Sequence, residues 1–221
     1  MDTIEPSAST WATAGSAGPH VTGGRRDIIV IGAAMGGLSA VCKLLGGLPA
    51  SLDAAVLLAL DIGSQPAAIV LQILQTYSPF RVAYASHGGL IRRGRVLVAP
   101  PGHDMRIQQA GFVGVENSKT YSGGHPSVNA LFKTAAAAYG HRVIGIVLSG
   151  GSDDGTAGLS LIEAAGGIGI VQDPEEAADP SMPESALRGD DPDYCSELTG
   201  MARLVMELAA GLKPSAPSQG Y

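Results

Sequence analysis

The sequence has few cysteines and few aromatic residues, and it contains no long apolar run. Cys42 and Cys195 are its two cysteines, too few for a disulfide framework or a cysteine-based metal site. Its longest apolar stretches, such as residues 54–60, fall well short of the roughly 20 residues that a membrane-spanning helix needs. We therefore expect a soluble, cytoplasmic protein with reduced thiols and no membrane insertion.

Positive charge is also scarce. The chain has 14 Lys and Arg against 20 Asp and Glu, and its longest basic runs are Arg25-Arg26 and Arg92-Arg93. A nucleic-acid backbone requires a concentrated positive surface, so we expect no nucleic-acid partner. The amino terminus lacks the basic start and apolar segment of a secretory signal. Residues 1–25 and 212–221 have the composition of disordered tails, which leaves one domain at 26–211.

Between these tails, short β-branched runs alternate with helical patterns. The runs at 27–31, 55–60 and 143–148 are apolar apart from Asp27, as in strands buried on both faces. This alternation predicts an α/β fold with a mostly parallel, doubly wound sheet, helices on both faces and a small β-hairpin region. The other predicted strands are 81–84, 95–98, 105–107, 111–113 and 169–171, and the predicted helices are 38–45, about 69–74, 128–139, 156–165 and 199–210.

The turn after the first strand, at residues 32–37, permits two interpretations. A dinucleotide-binding fingerprint needs glycine at its third position, where this chain has Ala34. A nucleophile elbow, G-x-S-x-G, fits the frame of Gly32 and Gly36, but its serine position is again Ala34. Nucleotide binding is therefore disfavoured, and the elbow lacks its nucleophile.

Five motifs in order carry a family resemblance: residues 31–38, 98–100, 125–132, 147–158, and 172–173 with 182–183. They resemble, respectively, the GASTGG, AP, RPSVDVLF, LTGMGxDGAxG and QDE with GMP segments of the CheB-type protein-glutamate methylesterases, which hydrolyse methyl esters on chemoreceptor glutamates. The resemblance implies a three-layer α/β/α sandwich and a methyl-accepting chemoreceptor or other signalling protein as partner. The 26 residues before the first strand are too few for the receiver domain of full-length members, so we expect no phosphotransfer control within this chain.

The family's catalytic residues fall on substituted positions. By the resemblance, the serine nucleophile corresponds to Ala34, the histidine base to Asp61, and the methionine whose amide helps bind the oxyanion to Gly151. The aspartate that orients the histidine is kept as Asp154. A methyl group cannot attack an ester, and an aspartate is a weak base at neutral pH. The sequence therefore predicts a catalytically impaired homologue that acts by binding.

The alternative is an active protein-glutamate methylesterase or other hydrolase with a relocated nucleophile or a metal-bound water. Candidate hydroxyls are those of Ser39, Ser64, Ser149 and Ser152, although each is more simply a turn or cap residue, and Ser39 is expected to face the sheet or a neighbouring helix. His125 replaces the arginine of RPSVD and is expected to be a surface residue.

The substituted positions also suggest a cation site. The second turn follows the strand at 55–60, and the third turn follows the strand at 143–148. If these two turns are adjacent, the Asp61 carboxylate points at Asp154, with Asp153 close by, and such a group suits Mg²⁺ or Ca²⁺. The competing expectation is that Asp61 faces solvent or caps the following helix. We expect no other cofactor. The acidic stretch at 173–193 is predicted to be a solvated loop rather than a contact surface.

Overall fold

The computed structural model describes residues 24–34, 36–108, 111–118, 125–189 and 191–214. Most of the two predicted tails, and Met35 in the first turn, lie outside these residues. Within the described ranges, no helix is both long enough and apolar enough to cross a membrane.

A parallel sheet of seven strands forms the centre of the molecule, and a separate antiparallel sheet of three strands lies beside it. The main sheet has the order β10-β9-β8-β1-β2-β5-β3, and the small sheet has the order β4-β7-β6. The strands are β1 Ile28–Ala33, β2 Ala55–Leu60, β3 Arg81–Tyr84, β4 Gly89–Leu90, β5 Arg95–Val98, β6 His103–Ile107, β7 Phe112–Asn117, β8 Val143–Val147, β9 Ile168–Gln172 and β10 Tyr194–Ser196.

Helices cover both faces of the main sheet, which confirms the predicted three-layer α/β/α sandwich. The helices are α1 Gly37–Gly47, α2 Ala67–Tyr77, α3 Val128–Tyr139, α4 Thr156–Ala164, α5 Ser181–Gly189 and α6 Leu198–Ala209. Alternate residues of β1 enter opposite cores: Ile29 packs with α1, α2 and α6, whereas Val30 packs with α3, α4 and α5. The central strands are buried along their whole length, which explains their unbroken apolar runs.

The predicted strands and helices are confirmed in type, with three additions. Sequence patterns did not predict the short strands β4 and β10 or the helix α5, and the solvated-loop interpretation of residues 173–193 is wrong where α5 forms. The Asp179 carboxylate accepts hydrogen bonds from the backbone N–H and the hydroxyl of Ser181 at the start of α5. Pro183 lies in the first turn of this helix, where a missing N–H costs little.

The carboxyl ends of β8, β1 and β2 lie side by side, as the buried runs predicted. Hydrogen bonds join the three following turns: the N–H of Ala34 donates to the carbonyl of Ser149 at 3.0 Å, and the N–H of Asp61 donates to the carbonyl of Ala33 at 3.0 Å. The fold thus brings residues that are far apart in sequence to one edge of the sheet, where ligand sites form in parallel α/β proteins.

Candidate functional site

The first turn packs tightly against the third. A Cβ atom at Gly150 would lie 2.8 Å from the Cβ of Ala34 and 3.0 Å from its backbone nitrogen, so only glycine fits there. Gly36 has a φ of +81° and directly precedes α1, which allows the chain to reverse directly from strand to helix. Ala34 itself is half-buried.

A pocket of about 220 Å³ opens beside Ala34, and we call it the Ala34 pocket. Both positions that the resemblance assigns to the nucleophile and the base, Ala34 and Asp61, line it. The other lining residues are Gly36, Leu38, Ile62, Gly63, Ser64 and Gln65. The fold therefore brings these two assigned positions to one pocket.

Asp61 contacts His125, a pairing that the sequence reasoning missed. The Asp61 Oδ1 atom lies 2.8 Å from the Nδ1 atom of His125 and also accepts the backbone N–H of Gly63 at 2.8 Å. The carbonyl of His125 accepts the hydroxyl of Ser118 at 2.7 Å. Asp61 therefore neither caps α2 nor serves only to meet solvent. A signal for this pairing was present in the sequence, because positions 61 and 125 both depart from the family pattern. The resemblance implies histidine at 61 and arginine at 125 in the family, whereas this chain has Asp61 and His125.

Asp154 anchors the start of α3. Its two carboxylate oxygens accept the backbone N–H groups of Val128 at 2.7 Å and Asn129 at 2.9 Å. The Asn129 side chain in turn accepts the N–H of Gly158, and the Ser127 hydroxyl caps α3 by accepting the N–H of Ala130. A carboxylate at a helix amino terminus complements the helix dipole. The retained orienter position thus fixes the backbone that follows His125.

The cation hypothesis is not supported by this geometry. In the described part of the chain, no three His, Cys, Asp or Glu side chains form a group that could hold a metal ion. Asp61 contacts His125, and both oxygens of Asp154 bond to amides, whereas Asp153 is exposed. The three carboxylates therefore do not form the set that was expected, and we propose no metal there.

The candidate hydroxyls differ in their access to the Ala34 pocket. Ser149 is fully buried, and its hydroxyl accepts the N–H of Asp179 at 2.9 Å. The Ser152 hydroxyl accepts the N–H of Asp154 at 3.2 Å. Ser39 is exposed on α1, so the expectation that it faces the sheet or a neighbouring helix is wrong. Of the four serines, Ser64 lines the pocket.

Gly151, at the position that the resemblance assigns to the oxyanion site, is exposed on the third turn. A Cβ atom there would lie 2.8 Å from the Oδ2 atom of Asp179, so a side chain at this position requires the Asp179 carboxylate to move. The neighbouring N–H of Gly150 donates to the carbonyl of Asp179 at 3.0 Å, which ties the turn to the segment that precedes α5.

We expect the Asp154 carboxyl to lower stability as the pH rises. Burial raises the pKa of this carboxyl above its ordinary 3.8, although the amide hydrogen bonds from Asn129 and Val128 oppose the shift. The folded state then holds the proton more tightly than the unfolded state, so this contribution is complete below pH 3.8 and is lost as the pH rises through the higher folded pKa. Urea unfolding should show the stability advantage of the wild type over Asp154→Asn shrinking across that window. A constant difference contradicts the prediction.

Comparison with known proteins gives consistent matches. A family model described as CheB methylesterase matches residues 29–205. A Leptospira interrogans relative is 31% identical over 182 residues, covering 82% of this chain and 94% of the relative. A protein-glutamate methylesterase/protein-glutamine glutaminase of Methanosarcina barkeri is 32% identical over 190 residues, covering 83% of this chain and 52% of that protein, so this chain spans about half its length. The crystal structure of the Thermotoga maritima CheB methylesterase catalytic domain matches with a TM-score of 0.76 at 25% identity, covering 83% of this chain and 98% of that one.

Proposed function

Because the chain belongs to the CheB methylesterase family, we propose that it is a signalling protein that binds a methyl-accepting chemoreceptor or related partner without hydrolysing its methyl esters. The observation that carries this proposal is that Ala34 lines the pocket. Its methyl stands at the position that the motif resemblance assigns to the family's nucleophile. Acyl transfer by this family's route requires an oxygen there that a base can activate. The retained pocket supports binding, and its chemistry argues against turnover.

The contact between Asp61 and His125 also supports the binding role. A base at position 61 would need to accept a proton within the pocket, yet the Asp61 Oδ1 atom already bonds to the Gly63 amide and faces the His125 imidazole. This contact connects the segment before α3 to the turn after β2. Asp61 and His125 therefore stabilise the wall of the pocket through their contact with each other, whereas a catalytic triad would use such groups for proton transfer.

A second candidate function is hydrolysis through a relocated nucleophile. It is favoured by one observation: Ser64 lines the same pocket as Asp61, and Asp61 holds the imidazole of His125. An imidazole oriented by a carboxylate is the arrangement that activates a hydroxyl or a water in acyl transfer. Methyl-ester hydrolysis that is lost in both Ser64→Ala and His125→Gln would favour this candidate over the binding role.

The binding proposal is tested with a chemoreceptor cytoplasmic fragment that carries γ-methyl glutamate. We expect the chain to bind this fragment in calorimetry, and we expect Ala34→Arg to weaken binding at least about tenfold because the long side chain fills the Ala34 pocket. Ala137→Arg, at an exposed position on α3, adds the same charge and volume away from the pocket and is expected to bind like the wild type. Thermal melting of both variants verifies folding. Equal binding by Ala34→Arg and Ala137→Arg would contradict the proposal.

A further inference from the structure

Half of the basic residues lie at the amino ends of the parallel strands, on the edge of the sheet opposite the Ala34 pocket. Arg81 begins β3, Arg95 begins β5, and Arg142 directly precedes β8. Because all strands of the main sheet run in one direction, short basic runs from distant parts of the sequence meet at this edge. Seven of the 14 Lys and Arg residues are found there: Arg25, Arg26, Arg81, Arg92, Arg93, Arg95 and Arg142.

The carboxylates at this edge already have arginine partners. Asp27 accepts hydrogen bonds from Arg142 at 2.8 Å and from Arg93 at 2.5 Å. Asp53 pairs with Arg93 at 2.9 Å and with Arg25. Both aspartates are therefore paired with Arg25, Arg93 and Arg142, and no ion pair joins either of them to the remaining arginines in the described part of the chain.

Of the four arginines that remain, Arg26 is buried. The other three, Arg81, Arg92 and Arg95, reach solvent, and we call them the arginine patch. Among the described residues, none of the three has an ion-pair partner. Arg81 and Arg95 are register partners on neighbouring strands, so their Cα atoms are about 4.8 Å apart and their side chains project on the same face. Arg81 and Arg92 are exposed, and Arg95 is partly exposed. Like charges on neighbouring side chains of one face repel each other, and an anion bound between them relieves this repulsion.

We propose that the arginine patch is a docking surface for an acidic segment of a partner protein. Guanidinium groups bind carboxylates through paired hydrogen bonds, as Arg142 does with Asp27 in this molecule. The net charge of the chain is -6, so a long polyanion such as nucleic acid would extend from the patch onto acidic surface. A short acidic segment confined to the patch avoids that repulsion, because charges beyond about 8 Å are largely screened at physiological salt. The surface is separate from the Ala34 pocket and does not depend on its chemistry.

The test is fluorescence anisotropy with a labelled oligoglutamate peptide as the probe. We expect binding that weakens as NaCl rises from about 50 to about 300 mM. The triple variant Arg81→Gln, Arg92→Gln, Arg95→Gln is expected to bind at least about tenfold more weakly. The matched control replaces the exposed Lys133, Arg188 and Arg203 with Gln, which removes the same charge elsewhere, and it is expected to bind within about twofold of the wild type.

Three results would overturn the proposal: no binding of the peptide by the folded wild type, an equal loss of binding in the control triple, or tighter binding of duplex DNA or phosphatidylserine vesicles than of the peptide. Circular dichroism verifies folding of each variant. If the patch triple unfolds, the single variant Arg92→Gln, at an exposed position before β5, takes its place and is expected to weaken binding about threefold.

Discussion

Methyl-ester hydrolysis by the unmodified chain is expected to be about 10⁶-fold slower than by a relative with an intact Ser-His-Asp triad, because loss of a serine nucleophile alone costs that much in kcat. The reason is local: the Ala34 side chain has no oxygen, and Asp61 stands at the position that the motif resemblance assigns to the base. The rate is measured on a receptor fragment that carries methylated glutamate: mass spectrometry follows the loss of the methyl group, and an assay of released methanol follows the same reaction. Turnover near that of a triad enzyme, abolished by Asp154→Ala, would contradict the prediction.

Restoring the missing groups should reveal how much of the catalytic geometry persists. Ala34→Ser alone is expected to remain inactive, because the added hydroxyl lacks a base. We expect Ala34→Ser with Asp61→His to gain hydrolysis above both single variants, since positions 34 and 61 line one pocket. The gain is expected to be limited, because both oxygens of Asp154 bond to the α3 amides. Asp61→His alone serves as the control for rearrangement around His125.

Asp27→Ala is expected to lower the free energy of unfolding by about 3 kcal/mol, at the low end of the cost of breaking a buried ion pair. The Asp27 carboxylate is 4% exposed and bridges Arg93 and Arg142. Its removal leaves two positive charges facing each other at the start of β1, although both arginines remain partly exposed and can regain water. Urea unfolding followed by circular dichroism measures the loss.

The control for this prediction is Asp53→Ala. Asp53 belongs to the same charge cluster, but its side chain is 46% exposed, so its ion pairs contribute at most about 1 kcal/mol. An Asp27→Ala variant that loses no more stability than Asp53→Ala would show that burial does not set the strength of this pair.

The Asp27 carboxylate makes the stability of the fold depend on pH in the direction opposite to that of Asp154. Burial raises the pKa of Asp27, but hydrogen bonds from Arg142 and Arg93 outweigh it, so the net pKa lies below the ordinary 3.8. Stability from Asp27 is therefore complete above pH 3.8 and is lost as the pH falls through the lower folded pKa. The Asp27→Ala defect is expected to shrink under acid conditions.

The candidate site was only partly predictable from the sequence. Motif order assigned Ala34, Asp61 and Asp154 to family positions, and the parallel topology implied that the turns containing them would meet. The direction of the Asp61 side chain was not predictable from the sequence. Two carboxylates at adjacent turns were expected to face each other, and nothing in the local sequence placed His125 beside Asp61. In the folded chain, the segment before α3 brings His125 within 2.8 Å of Asp61, and the α3 amides occupy Asp154.

By itself, the sequence determined the layered α/β fold, the strand-turn-helix units and the absence of a nucleophile at residue 34. The apolar periodicity and the missing side-chain hydroxyl at residue 34 are properties of the local sequence, so tertiary packing does not change them. Only the tertiary structure decided that Asp61 contacts His125, that Asp154 caps α3, and that separate arginines gather at one edge. These outcomes depend on contacts between residues that are far apart in the sequence, such as Asp27 and Arg142, which are 115 positions apart. Such side chains meet only after the sheet has formed.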